Sequence, residues 1–142
     1  MALYDIPQMR RPGPRSVTMR LRGIPSSVSP ARDRVVSFAR AAGYSEDQLF
    51  DIGVAVGEAC SNAVMHSASG DAWFRVEAVA GADTLTVKVT DPGQGTVPPL
   101  ERDADRVGGI GLFLMRRLMD KISLDMSPSG TKLTMSCRRA AA

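Results

Sequence analysis

Hydrophobic positions recur along this chain with two periods, and the switches between them divide it into elements. From Ser16 to Arg22, apolar Val17, Met19 and Leu21 alternate with polar neighbours, the period-two pattern of a half-buried strand. Gly23 to Ser29 reads as a loop. Ser29-Pro30 then reads as a cap followed by proline at the first helical position. The helix so begun runs to about Ala42, with Val35, Val36, Phe38 and Ala39 toward the core and Gly43 as its stop.

Ser45-Glu46-Asp47-Gln48 is a capping box, with serine at the cap and Gln48 three residues on. Tyr44 and Leu49 stand where a hydrophobic staple closes. These signals predict a helix over 46–67 whose apolar stripe is Leu49, Ile52, Val56, Cys60 and Ala63. Glu58, Asn62 and His66 follow one another at four-residue spacing, so they line a single face, roughly opposite that stripe. On an ordinary surface helix this face would simply meet water.

Two strand-like runs come next, Ala72 to Val79 and Thr84 to Thr90, with Gly81-Ala82-Asp83 as the turn between them. Pro92 to Val107, with its prolines and glycines and scattered charge, reads as a long loop. A third helix is predicted from near Gly109–Ile110 to near Asp120. Ile122, Leu124 and Met126, then Leu133 and Met135, read as a second hairpin through Ser127-Pro128-Ser129-Gly130. Strands arriving in pairs predict an α+β fold: a two-layer sandwich, with a mostly antiparallel sheet and helices on one face. A doubly wound parallel sheet would need strands and helices to alternate. The division expected is a flexible basic arm over 1–15, a single domain over 16–138 and a frayed tail over 139–142.

Composition narrows the class. A chain of 142 residues suits one core. Its apolar runs are too short to span a bilayer, and its N-terminus lacks a signal-peptide pattern. Cys60 and Cys137 stand far apart and not in metal-ligand spacing, as in a reduced, cytoplasmic protein. The net charge of +3 owes much to Arg10, Arg11, Arg15, Arg20 and Arg22 near the N-terminus. That stretch has no interleaved aromatics and no nucleic-acid motif, so it reads as a solvated arm.

The polar residues suggest a site. An amide oxygen near a carboxylate offers hard oxygen ligands to Mg²⁺, which takes few protein ligands when substrate phosphates supply others. Glu58 has the chemistry to accept a proton from an attacking hydroxyl. Asp91 ends a strand and opens Pro92-Gly93-Gln94-Gly95; its side chain can accept a hydrogen bond from a purine amino group. Gly108-Gly109-Ile110-Gly111-Leu112 leads into a helix, where free backbone N–H groups attract phosphate. Taken singly, each has a plain structural alternative: a solvated helix face, a strand-ending turn, a loop meeting a helix. No Walker P-loop or Rossmann fingerprint is present.

In this order, the features resemble the GHKL ATPase superfamily, which has the Bergerat-type ATP-binding fold. Glu58, Asn62 and His66 match its Glu-x3-Asn-x3-His box, and Asp91, Gly93 and Gly95 match Asp-x-Gly-x-Gly. Gly109, Gly111 and Leu112 match Gly-x-Gly-Leu, and Gly130-Thr131 matches a late Gly-Thr pair. Within the superfamily the chain is most similar to the bacterial anti-sigma-factor serine kinases. The resemblance implies that Glu58 is a general base, that Asn62 binds Mg²⁺, and that Asp91 receives the adenine amino group. It further implies that Gly93, Gly95, Gly108, Gly109 and Gly111 shape the pocket and lid, and that Thr131 lies beside the adenine. His66 closes the motif, either against the nucleotide or in a structural hydrogen bond. Arg106, by position and charge, is placed to meet the γ-phosphate. Thr96 stands where relatives often carry an aromatic residue, a departure that bears on lid packing.

The resemblance implies ATP and Mg²⁺ as ligands, an anti-sigma antagonist as phosphorylation substrate, a sigma factor as second partner, and a homodimer without membrane or nucleic-acid contact. A nucleotide-responsive binding module without phosphotransfer is the alternative. A detached histidine-kinase domain fits less well, since the only histidine lies in the first box.

Overall fold

A computed structural model describes residues 15–66, 72–92 and 109–141. The N-terminal arm and the long loop after Pro92 lie outside these residues, and so do Gly93, Gly95, Arg106 and Gly108 of the expected site. The described elements are β1 (Arg15–Arg22), a short 3₁₀ turn (Pro25–Ser27), α1 (Val28–Ala41), α2 (Glu46–His66), β2 (Trp73–Ala80), β3 (Thr84–Asp91), α3 (Gly109–Leu118), β4 (Lys121–Ser127) and β5 (Gly130–Arg138).

Five strands form one sheet in the order β1-β2-β3-β5-β4, and every neighbouring pair is antiparallel. Period-two alternation gives the sheet two unlike faces. Phe74, Val76 and Ala78 of β2, Leu85, Val87 and Val89 of β3, and Leu133, Met135 and Cys137 of β5 are buried on the face that meets the helices. Arg20 and Trp73 lie on the other face, where the Arg20 guanidinium sits 4.9 Å from the Trp73 ring centroid. The α+β sandwich expected from the element order is the architecture found.

Helix α2 lies at the centre of the helical layer, against α1, α3 and β3. Small residues permit this: Gly53, Ala55, Ala59 and Ala63 are all buried. At Gly53 a Cβ would stand 3.3 Å from Val36 Cγ2, tighter than ordinary packing. Ile52, Val56 and Cys60 fill the space toward the sheet, each almost fully buried and each such side chain worth about 1.5–3 kcal/mol of transfer free energy.

Most expected boundaries agree with the structure within two residues, and α1 begins at Val28, two residues before Pro30, but what opens it differs from the expectation. Ser29-Pro30 is not the helix entry. The backbone already turns at Pro25, whose fixed φ initiates the 3₁₀ turn, and α1 continues directly from it at Val28. Pro30 is tolerated because it falls in the first turn, where N–H groups have no intrahelical acceptor. The Ser29 hydroxyl accepts a hydrogen bond from Arg32 at 3.3 Å rather than capping the helix. Gly43 ends the segment with φ of +95°, as a helix-stopping glycine should.

Candidate functional site

The capping box fixes where α2 begins, and therefore where its polar face points. The Gln48 N–H donates to Ser45 Oγ at 3.2 Å, and the Ser45 N–H donates back to Gln48 Oε1 at 3.4 Å. Tyr44 and Leu49 are both buried beside it. From that start, regular helix geometry carries Glu58, Asn62 and His66 along one side.

That side is not left to solvent. The first turn of α3 packs over it. A Cβ on Gly111 would stand 3.0 Å from Glu58 Oε1 and 3.7 Å from Asn62 Nδ2. So the glycine of the late box brings its main chain against the carboxylate and amide of the first box, and only a residue without a side chain leaves both groups clear. Glu58 and Asn62 are half-buried. Among the described residues neither side chain has a hydrogen-bond partner. Leu112, next to Gly111, packs against the core and anchors this turn.

The far end of the same face meets the sheet. Continuing the inward series Leu85, Val87, Val89 by two residues places Asp91 on the core face. It is the only buried charged residue among those described, 5% exposed. Its Oδ2 lies 3.4 Å from His66 Nδ1, while Oδ1 is buried with no partner among the described residues. A buried carboxylate oxygen without a donor costs roughly 1–3 kcal/mol, so it marks a place where a ligand donor restores the balance. Thr131 is the direct cross-strand neighbour of Asp91.

Gly130, expected as a turn glycine and as half of the Gly-Thr pair, has a further role that neither reading stated. Its φ is +145°, and a Cβ there would collide with the Asp91 carbonyl oxygen and stand 3.0 Å from the Pro92 carbonyl carbon. The β4–β5 turn therefore closes tightly on the strand end that carries Asp91. The signal available was a glycine immediately after the Ser-Pro-Ser turn.

The structure thus brings Glu58, Asn62, His66, Asp91, Gly111, Leu112 and Thr131 to one side of the sheet, with Gly109 at the start of α3. The chemistry of the donor set is of the kind an amino-purine nucleotide and a divalent cation would use: an orphaned acceptor at one end, a carboxylate and an amide oxygen beside a glycine at the other. Among the described residues no group of three His, Cys, Asp or Glu side chains forms a metal cage. Magnesium does not require one, because it usually keeps waters and takes phosphate oxygens.

The two cysteines stay outside this chemistry. Burial pushes the Cys60 thiol up to about 12. Burial, helped by the nearby Asp120 and Asp51 carboxylates, pushes Cys137 up to about 11. Both are protonated, inert core thiols at neutral pH.

Comparison with known proteins agrees with the fold. A serine-protein kinase RsbW of Listeria monocytogenes is 35% identical over 122 residues, covering 76% of this chain and 78% of its own. A serine-protein kinase RsbW of Halalkalibacterium halodurans is 30% identical over 140 residues, covering 90% and 86%. The crystal structure of the RsbU and RsbW domains of Rv1364c from Mycobacterium tuberculosis superposes with a TM-score of 0.69 at 20% identity. The match covers 90% of this chain and 33% of that longer one, a likeness of fold. A family profile described as a histidine kinase-like ATPase domain matches residues 22–137, and with these relatives it establishes that the chain belongs to the histidine kinase-like ATPase family.

Proposed function

We propose that this protein is an ATP-dependent serine/threonine kinase and anti-sigma factor, which phosphorylates a small anti-sigma antagonist and in its other partner state sequesters a sigma factor. The observation that carries the reading is the approach of Gly111 to Glu58 and Asn62, which assembles a proton acceptor and a cation ligand under a helix N-terminus. The relatives named serine-protein kinase support the choice of reaction.

In this reading Glu58 accepts the proton of the substrate hydroxyl as its oxygen bonds to the γ-phosphorus. The bond from that phosphorus to the β–γ bridging oxygen breaks, giving a phosphorylated side chain and ADP, and Glu58 then releases its proton to water. Asn62 would hold Mg²⁺, which when bound supplies charge neutralisation at the phosphates. Asp91 orients the base through its free oxygen, Thr131 flanks it, and the backbone around Gly109 and Gly111 receives phosphate. Gly93, Gly95, Gly108 and Arg106 belong to the same proposed site.

Glu58 also lines a groove of about 510 Å³ between α1 and α2, together with Arg32, Val36, Phe50 and Ser61. A carboxylate open to such a groove suits a macromolecular substrate. Among the described residues no helix is long and apolar enough to cross a membrane. The proposed setting is the cytoplasm, with a homodimer as the working form and no nucleic-acid contact.

The test is transfer of label from γ-³²P-ATP to the antagonist. Glu58→Gln should lower the transfer rate by about 10²–10⁴-fold while leaving ATP affinity and melting temperature nearly unchanged. Label transfer that is absent in the wild type, with ATP bound and partners captured, would favour the non-enzymatic binding module.

A further inference from the structure

The motif residue with no assigned task is His66. We propose that His66 is a positioning residue, which fixes the plane of the Asp91 carboxylate so that Oδ1 becomes a directional acceptor for a purine amino group, and that it thereby tightens selection for 6-aminopurine nucleotides. The proposal rests on the nucleotide-site reading above and deepens it.

Three observations support it. Asp91 is buried on the core face of β3, and its two oxygens are in different states: Oδ2 lies 3.4 Å from His66 Nδ1, and Oδ1 has no partner among the described residues. The terminal torsion of an aspartate is broad, so a buried carboxylate held at neither oxygen would sample many orientations. A single donor at Oδ2 fixes the plane and leaves Oδ1 for the ligand.

The donor stands at the end of a packed helix. His66 is the last residue of α2, whose preceding turns are packed between α1, α3 and the sheet. The Asp91 carboxylate can only accept, so the pairing requires hydrogen on Nδ1. The imidazole side chain is 37% exposed against 6% for Asp91, so histidine bridges from solvent to the buried acid. One helix therefore carries the proposed base Glu58, the proposed cation ligand Asn62 and the residue that aims the base-recognising acid of the neighbouring strand. Eight helical steps lead from Glu58 to His66, a rise of about 12 Å between the two ends of the proposed site.

The experiment compares ATP with purine riboside triphosphate, which lacks the amino group, by calorimetric titration of the full chain with Mg²⁺. His66→Ala should weaken ATP binding about five- to tenfold and change the analogue less than twofold. His66→Asn places an amide N–H where Nδ1 stood and should restore most of the ATP affinity. Equal losses for both nucleotides, or no loss for ATP, would overturn the proposal by making His66 a structural residue.

A second measurement needs no variant. The chain has one histidine, so its imidazole ¹⁵N spectrum is unambiguous. Hydrogen on Nδ1 in the wild type supports the pairing, and a bare Nδ1 overturns it even if His66→Ala fails to fold. Wild-type protein that binds no ATP would sink the nucleotide-site reading itself, an outcome distinct from wild-type binding without the His66 effect.

Discussion

The two ends of helix α2 carry similar side chains in opposite states. At the N-terminal end, Ser45 and Gln48 satisfy each other's backbone groups. Gln48 goes further: its Nε2 donates to the Arg138 carbonyl at 2.7 Å, and its Oε1 accepts from the Ala140 N–H at 3.1 Å. One side chain thus caps the helix and clasps the end of β5. Toward the C-terminal end, Glu58 and Asn62 have no partner among the described residues, and His66 reaches Asp91 but leaves one of its oxygens bare. Where the chain satisfies its own polar groups, they hold the fold. Where it gathers them unsatisfied under a glycine, they form the site proposed for a ligand. Burial alone does not separate the two cases; the accounting of donors and acceptors does.

That contrast is open to direct attack. After Glu58→Gln, the largest effect is expected from Gly111→Ala. The added methyl would stand 3.0 Å from Glu58 Oε1, and the flexible carboxylate yields by swinging away. Phosphotransfer should fall by about tenfold or more, while the melting temperature holds or rises because alanine favours helix by roughly 1 kcal/mol. A parallel loss of stability and transfer would mean that the site end also holds up the fold.

A smaller, inverse effect is expected at the other end. Gln48→Ala keeps the backbone bond to Ser45 Oγ but removes the return bond from the Ser45 N–H and the clasp on β5, and should cost about 1–2 kcal/mol in a urea denaturation series. Nucleotide affinity, measured by calorimetry on the same variant, should stay within twofold. A change in ATP binding would join the two ends into one cooperative unit and remove the distinction.

The mildest test concerns the core between them. Cys60 keeps its proton in the folded chain up to about 12, against 9.0 ordinarily, because burial disfavours the thiolate. Burial likewise raises the Tyr44 phenol from 10.0 to about 12. The folded state then binds more protons than the unfolded one at alkaline pH. Stability should be flat below about pH 9 and decline as pH rises toward about 12. Urea midpoints at rising pH would show this, and Cys60→Ala should flatten the earlier part of the decline.

Much of the architecture was legible in one dimension. Alternation at Val17, Met19 and Leu21, or at Leu85, Val87 and Val89, depends on the fixed pleat of a strand and needs no tertiary knowledge. The Ser45–Gln48 box declares a helix start because both its hydrogen bonds are local. The entry to α1 differs from the Ser29-Pro30 start for the converse reason: a second proline, Pro25, opens a 3₁₀ turn, and the continuity of that turn with the helix carries the start back to Val28. That Glu58, Asn62 and His66 share one helix face was readable from spacing. Its burial was not, since a polar helix face opposite an apolar stripe is also what water-facing helices display.

The sequence by itself determined which elements form and which residues share a face, because helix and strand periods are properties of the local backbone. It also named the chemistry on offer, a carboxylate, an amide and an imidazole in line. Only the tertiary structure decided that Gly111, far along the chain, closes over Glu58 and Asn62, and that His66 ends against one oxygen of Asp91 and leaves the other free. Those contacts join residues distant in sequence, and they exist only because the sheet register and the packing of three helices bring those chain segments together.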